Sequence, residues 1–222
     1  MSSFFFYYID KYNLLNKYKI HHETICNVNY STILTRVSIN QICILLPTMV
    51  LLENFNIIKL NNDNIINIYT LFSLPLFSFG HDIIQYIMHR FLSHNYYLYN
   101  LLGHNIHHKI NANIAISAIY MSNCDFILII VLPYIIPLII IGNNNNLFIN
   151  ILIISSGMLG GVYEHSGYDF SKIFKNKFIG NFFNNKLHFI HHKKLKVNFS
   201  NGFGSTSISD RIFKTTIKCI EE

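Results

Sequence analysis

The chain has 222 residues, of which 51% are apolar and only 13% charged, with a formal charge of +6. An ordinary soluble domain carries about a quarter of its residues as charges, so this composition points to a membrane before anything else. The basic residues alternate with long apolar runs and concentrate toward the C-terminal end instead of forming one polar basic face, which excludes a nucleic-acid partner.

The opening segment, MSSFFFYYIDKYNLLNKYK, places aromatics ahead of its lysines and has no small-residue cleavage pattern. Residues 1–32 are therefore expected to form an amphipathic, interfacial lead-in, with a membrane-bound domain over 33–222. Four apolar stretches follow at Ile39–Phe55, Ile65–Phe79, Phe126–Ile141 and Leu147–Tyr163. A helix needs about 17–25 residues to cross a hydrocarbon core of ~30 Å, so each is short unless residues such as Tyr69, Tyr120 and Tyr163 extend it into the interface. Pro133 and Pro137 fall inside the third stretch, where membrane helices tolerate them as kinks.

Lys59–Asn64 joins the first pair of stretches and Gly142–Asn146 the second. The expected fold class is all-α, with about four membrane-embedded helices in two hairpins. That arrangement puts the N-terminus, Gly80–Asn123 and Glu164–Glu222 on one face. Of the 17 lysines and arginines, Lys59 alone falls in a connection on the other face. Basic residues favour the cytoplasmic side, so the shared face is expected to be cytosolic and to carry a histidine-rich helical cap. Cys26, Cys43, Cys124 and Cys219 form no CxxC pair and are expected to be ordinary buried thiols. The Asn143–Asn146 homopolymer is read as a loop.

Nine of the 12 histidines fall in tight groups. His89 and His94 lie in HRFLSH, His104, His107 and His108 in HNIHH, His165 in EHSGYDF, and His188, His191 and His192 in HFIHH. On an α-helix, residues i, i+3 and i+4 share a face, so each HxxHH is expected to aim three imidazoles at a common point. Neutral imidazole suits first-row metals, and one ion cannot take nine ligands, whereas two can. His89 and His94 are five apart, about 140° around an ideal helix, and need a helix end or a distortion to converge.

His21, His22 and His81 are read as hydrogen-bonded bystanders, although His81, Gln85 and His89 share one helical face, which also makes His81 a candidate to orient a ligand. Metal-bound imidazoles usually donate their other N–H to a carboxylate or carbonyl. The carboxylates close to the boxes are Asp82, Glu164, Asp169 and Asp210, each with solvated charge as the alternative reading. Arg90 is a candidate to pair with such a carboxylate or with lipid phosphate.

With these motifs the chain resembles the fatty acid hydroxylase superfamily, the membrane histidine-box oxygenases that include sterol C4-methyl oxidases, sterol desaturases and sphingoid-base hydroxylases. The resemblance covers roughly 80–215. It rests on DIIQYIMHRFLSH, LLGHNIHHKINA, EHSGYDF and LHFIHHKKLKVNFSNGFGSTSISDRIFKT, in that order. The resemblance implies that His89, His94, His104, His107, His108, His165, His188, His191 and His192 hold two iron ions, with zinc as another occupant.

It also implies O2-dependent hydroxylation of a lipid in the endoplasmic reticulum membrane, with electrons from a cytochrome b5 and reductase. An unactivated C–H bond demands a redox-active metal, which zinc is not. HSGYDF resembles the sterol-oxidase version and KVNFSNGF the sphingoid-hydroxylase tail, so sterol, sphingoid and fatty acyl substrates all stay open. The rival readings are a histidine-rich metal-binding membrane protein without catalysis, and a zinc-dependent hydrolase on the same scaffold. Against the latter, the chain has no HExxH.

Overall fold

The computed structural model describes residues 2–20, 28–55, 68–141, 147–200 and 207–217. His21, His22, Cys26, Cys219, Lys59–Asn64 and Gly142–Asn146 lie outside them. The regular elements among the described residues are all helices, and these residues contain no strand apart from a single antiparallel bridge between Lys19 and Tyr168.

Helix α1 is Ser2–Lys11, α2 Tyr30–Asn54, α3 Ile68–Ile87, α4 Leu98–Leu101, α5 His104–His107 and α6 Asn123–Ile141. Helix α7 is Leu147–Glu164, α8 Lys177–Phe182, α9 Lys186–Lys194 and α10 Ile208–Ile212. The first apolar stretch lies in α2 up to Asn54, the described part of the second, from Ile68, lies in α3, and the third and fourth lie within α6 and α7. Among the described residues, α2 and α6 are the two helices long and apolar enough to cross a bilayer, with mean hydropathies of 1.5 and 2.7.

Helices α2, α3, α6 and α7 share a core at Leu52, Phe77, Leu138 and Ile153, one buried residue from each. Helices α3 and α6 approach closely at Gly80, where a Cβ would stand 3.1 Å from Pro137 Cβ. Their outer faces remain apolar: Ile42 on α2, Phe55 just past its end, Phe72 on α3 and Ile140 on α6 are 63%, 71%, 67% and 73% exposed. Cys43 and Cys124 are also exposed, which corrects their reading as buried thiols.

Polar contacts tie the connections to this bundle. Asn40, fully buried on α2, donates from Nδ2 to the Ile119 and Met121 carbonyls at 3.1 Å each, fixing the segment that leads into α6. Ser122 then caps α6 by accepting the Asp125 N–H at 3.0 Å, satisfying one of the free donors at a helix start. The lead-in α1 docks on the turn after α7, where Phe6 stacks on Tyr168 and the Tyr168 hydroxyl donates to Asp10 at 3.2 Å.

Candidate metal centre

A backbone irregularity brings His89 and His94 together. Helix α3 runs on into a π-helical turn over Met88–Ser93, and the His94 N–H donates to the His89 carbonyl, five residues back, at 2.9 Å. A π-turn has more residues per revolution than an α-turn, so a five-residue spacing closes on itself. The two ring centroids are 4.8 Å apart.

The HNIHH box is a single helical turn entered through Gly103, whose φ is 78°. A Cβ there would lie 2.6 Å from Ser122 Cβ, so only glycine permits this approach of the box to the start of α6. The HFIHH box lies in α9, which ends at Leu195 with φ 59°. This left-handed residue turns the chain back, so that the Val197 and Phe199 carbonyls face the rings.

All nine box histidines gather in two clusters. His89, His94, His104, His108 and His191 form one, and His107, His165, His188 and His192 the other, with the candidate ligand atoms of each within 4.8 Å of one another. The expectation that each HxxHH converges on one point is corrected here. In both boxes the i and i+4 residues enter one cluster and the i+3 residue enters the other. Positions i+3 and i+4 stand about 100° apart around the helix, on opposite sides of i, so one turn serves two adjacent centres.

Five of the ring nitrogens facing away from the clusters are anchored, whereas Nδ1 of His107 and of His108 is buried without a hydrogen-bond partner. His89 Nδ1 donates to the Phe199 carbonyl at 2.6 Å, His191 Nδ1 to Val197 at 2.7 Å, His192 Nδ1 to Ile110 at 2.9 Å and His165 Nδ1 to Gly161 at 3.0 Å. His104 Nδ1 donates to Asp125 Oδ2 at 2.8 Å. A neutral imidazole that donates from Nδ1 carries a lone pair on Nε2. His89 and His104 nevertheless meet Nε2 to Nε2 at 3.2 Å, and His192 Nε2 is buried without a partner. Acceptors facing each other at this distance repel unless a cation lies between them. The two donor sets therefore fit a pair of first-row metal ions.

Burial favours the neutral ligand form throughout. It pushes His89 and His165 down to about 4, and it lowers His94, His104, His107, His108, His188, His191 and His192, with neighbouring imidazoles adding to the effect.

The remaining candidates divide by what they touch. Glu164 Oε2 lies 3.9 Å from His188 Nδ1. Asp210 acts one step away: its carboxylate accepts the Phe199 N–H at 2.9 Å and the Ser200 N–H at 2.7 Å, fixing the peptide whose carbonyl holds His89. Asp82 accepts the Ile208 and Ser209 N–H groups at 3.1 and 2.9 Å and so ties α10 to α3. Asp169 accepts the Ser171 N–H at 2.9 Å. Arg90 packs its guanidinium over the rings of Tyr86, Phe91, Phe199 and Phe213 and donates to the Tyr86 hydroxyl. His81 packs against Tyr134, with ring centroids 4.9 Å apart.

Asp125 is the residue that sequence reasoning missed. It is fully buried between Ser93 Oγ at 2.9 Å and His104 Nδ1 at 2.8 Å. The available signal was a lone carboxylate at the mouth of the most apolar helix, a position that is costly without a partner.

A cavity of about 490 Å3 opens between α3, α6 and α7. Leu74, Phe77, Ile130 and Ile153 line its apolar part, and His89, His188 and Glu164 line the end that reaches both clusters.

An all-helical bundle with nine histidines in two adjacent clusters defines a metal-binding protein of the histidine-box type. The fatty acid hydroxylase family model matches residues 74–215, more than half of the chain, and the chain belongs to that family. No curated protein and no solved structure matches it significantly.

Proposed function

We propose that the protein is an O2-dependent hydroxylase of a membrane lipid that works with two iron ions in the endoplasmic reticulum membrane. The observation that carries this reading is the set of buried Nε2 lone pairs facing one another at His89, His104 and His191, whose Nδ1 protons are all committed elsewhere. Bound iron supplies the redox chemistry with O2 that an unactivated C–H bond requires. The overall change inserts one oxygen atom into a C–H bond and reduces the other to water. It takes up two electrons and two protons, the electrons coming from a cytochrome b5 and reductase type of donor.

The chain's own residues bind, orient and exclude water. Val197, Phe199, Ile110 and Gly161 carbonyls and Asp125 hold the rings in one tautomer, so no reorganisation is needed when a ligand nitrogen is called on. The apolar walls of the cavity exclude water and receive the hydrocarbon of the lipid.

The bilayer is inferred from the outer faces of the bundle. Only 17% of the most apolar window of α2 is buried, whereas a core helix of a soluble protein would be mostly enclosed. Helices α2, α3, α6 and α7 then form the two membrane-embedded hairpins, with both clusters on the cytosolic side. Substrates of the sterol C4-methyl, sphingoid and fatty acyl types all fit this reading.

Metal analysis combined with O2 uptake tests it. Two irons per chain and lipid-stimulated, reductant-dependent O2 consumption are expected. Zinc alone, with no O2 uptake in the presence of iron and reductant, would point instead to a hydrolase or to a metal-binding protein without catalysis.

A further inference from the structure

One side chain reaches all three walls of the cavity. Tyr134, half-buried on α6, lines it, and its ring packs on α3, with centroids 5.7 Å from Phe77 and 4.9 Å from His81. The far end of the phenol reaches α7. A Cβ at Gly157 would stand 1.4 Å from Tyr134 Oη and 2.6 Å from its Cζ, so the missing side chain leaves a notch that receives the ring. Gly157 lines the same cavity.

Two helices independently give the depth of this contact. His81 stands eight residues before His89 on α3, and Gly157 seven before Glu164 on α7. At a helical rise of about 1.5 Å per residue, Tyr134 lies about 10–12 Å from the cluster end of the cavity. Leu74 and Leu152 line the space beyond it. Hydrocarbon that fills the cavity from the clusters outward must therefore run beside this ring. Phe77 and His81 back the ring on one side and the Gly157 notch holds its tip, so close packing gives it little freedom to yield.

We propose that Tyr134, seated in the Gly157 notch, is a specificity-determining residue that sets the bore of the cavity at this depth. It admits a lipid whose hydrocarbon is a single unbranched chain about 10–12 Å from the carbon held at the clusters. An alkyl chain passes by rotating between staggered wells about its C–C bonds, whereas a branch at that point adds width that no rotation removes. The inference rests on the lipid-hydroxylase reading and narrows its open substrate types to those that are slim at this depth.

The test uses the full chain loaded with zinc, so that no turnover occurs, in detergent micelles. Heptadecan-1-ol and 8,8-dimethylpentadecan-1-ol serve as probes because they share a carbon count and a head group. The branch of the second lies at mid-chain, so it meets Tyr134 whichever end faces the clusters. Wild-type protein should bind the linear alcohol about tenfold more tightly after correction for micelle partitioning, the scale of overpacking by added methyl groups. Tyr134→Leu and Tyr134→Met should each remove the preference by strengthening the branched probe, and Tyr134→Phe, which keeps the ring, should retain it. Gly157→Ala drives the ring into the cavity and should weaken both probes, and adding Tyr134→Leu to it should restore the linear one. Two zinc ions per chain in each variant report an intact fold.

Equal binding of the two probes to wild-type protein, or binding of neither, would overturn the assignment. So would an unchanged preference in both Tyr134→Leu and Tyr134→Met, loss of the preference in Tyr134→Phe, or a Gly157→Ala defect that the double variant does not relieve. Iron content and O2 uptake of the unmodified protein are measured separately. Loss of the Tyr134 assignment with those intact leaves the hydroxylase reading standing, and loss of those readouts removes it.

Discussion

His104 Nδ1 and Asp125 Oδ2 lie 2.8 Å apart with both side chains fully buried, and this carboxylate stands where His89 and His191 of the same cluster meet backbone carbonyls. The carboxylate comes from the first turn of α6 and the ring from α5, so this contact couples the membrane-type bundle to the metal centre. Asp125→Ala leaves the His104 N–H without its acceptor, at a cost of about 1–3 kcal/mol. Metal affinity should fall about 10- to 100-fold, as it does when an outer partner of a ligating histidine is lost. Competition with a chelator of known affinity measures this, and unchanged affinity would refute it.

The division of each box between two clusters makes metal stoichiometry a direct readout. His191→Ala removes a ligand from the five-histidine cluster, and His107→Ala removes one from the four-histidine cluster. Each should abolish O2 uptake and lower bound iron below two per chain. His21→Ala, a histidine outside both clusters' motifs, should change neither. Equal damage from His21→Ala would break the separation of ligands from bystanders.

Asp210 acts on one centre through the backbone. Its carboxylate also accepts the Thr215 hydroxyl at 2.6 Å, so it closes residues 207–217 onto the segment whose Phe199 and Val197 carbonyls hold His89 and His191. Both of those rings belong to the five-histidine cluster. Asp210→Ala should therefore empty that centre first, taking bound metal from about two toward one per chain before the fold is lost. Simultaneous loss of both ions would show general unfolding instead.

Burial sets the pH response of the metal-free protein. All nine rings are held below their ordinary value of 6.5, with His89 and His165 near 4. Above about 6.5 neither the folded nor the unfolded chain binds these protons. As pH falls from there toward 4 the unfolded chain binds protons that the folded one refuses, so stability is lost, at about 1.4 kcal/mol per unit for each ring still neutral in the fold. Denaturation midpoints at pH 8, 6 and 5 should fall steeply in that order, and metal should shift the loss to lower pH. A flat profile would contradict buried neutral rings.

The resemblance read from the four motifs agrees with the family match over 74–215. The all-α class follows from apolar runs without strand alternation, and the described residues contain helices and no strand. The nine histidines stood out because spacings of three and four are local helical geometry. The common focus assigned to each HxxHH did not hold, since a helix that presents i and i+4 to one neighbour presents i+3 to another.

What the sequence determined by itself is whatever depends on a few neighbouring residues: helical periodicity, apolar length, and clusters of imidazole too dense for chance. Tertiary structure alone decided which rings share a centre, that Asp125 serves His104, and that Asp210 serves His89 through Phe199. His104 and Asp125 lie 21 residues apart in the chain, and His89 and Phe199 lie 110 apart. Their meeting follows from how helices close on one another and from a π-turn and two left-handed residues that redirect the backbone. None of these leaves a periodic trace in the order of the amino acids.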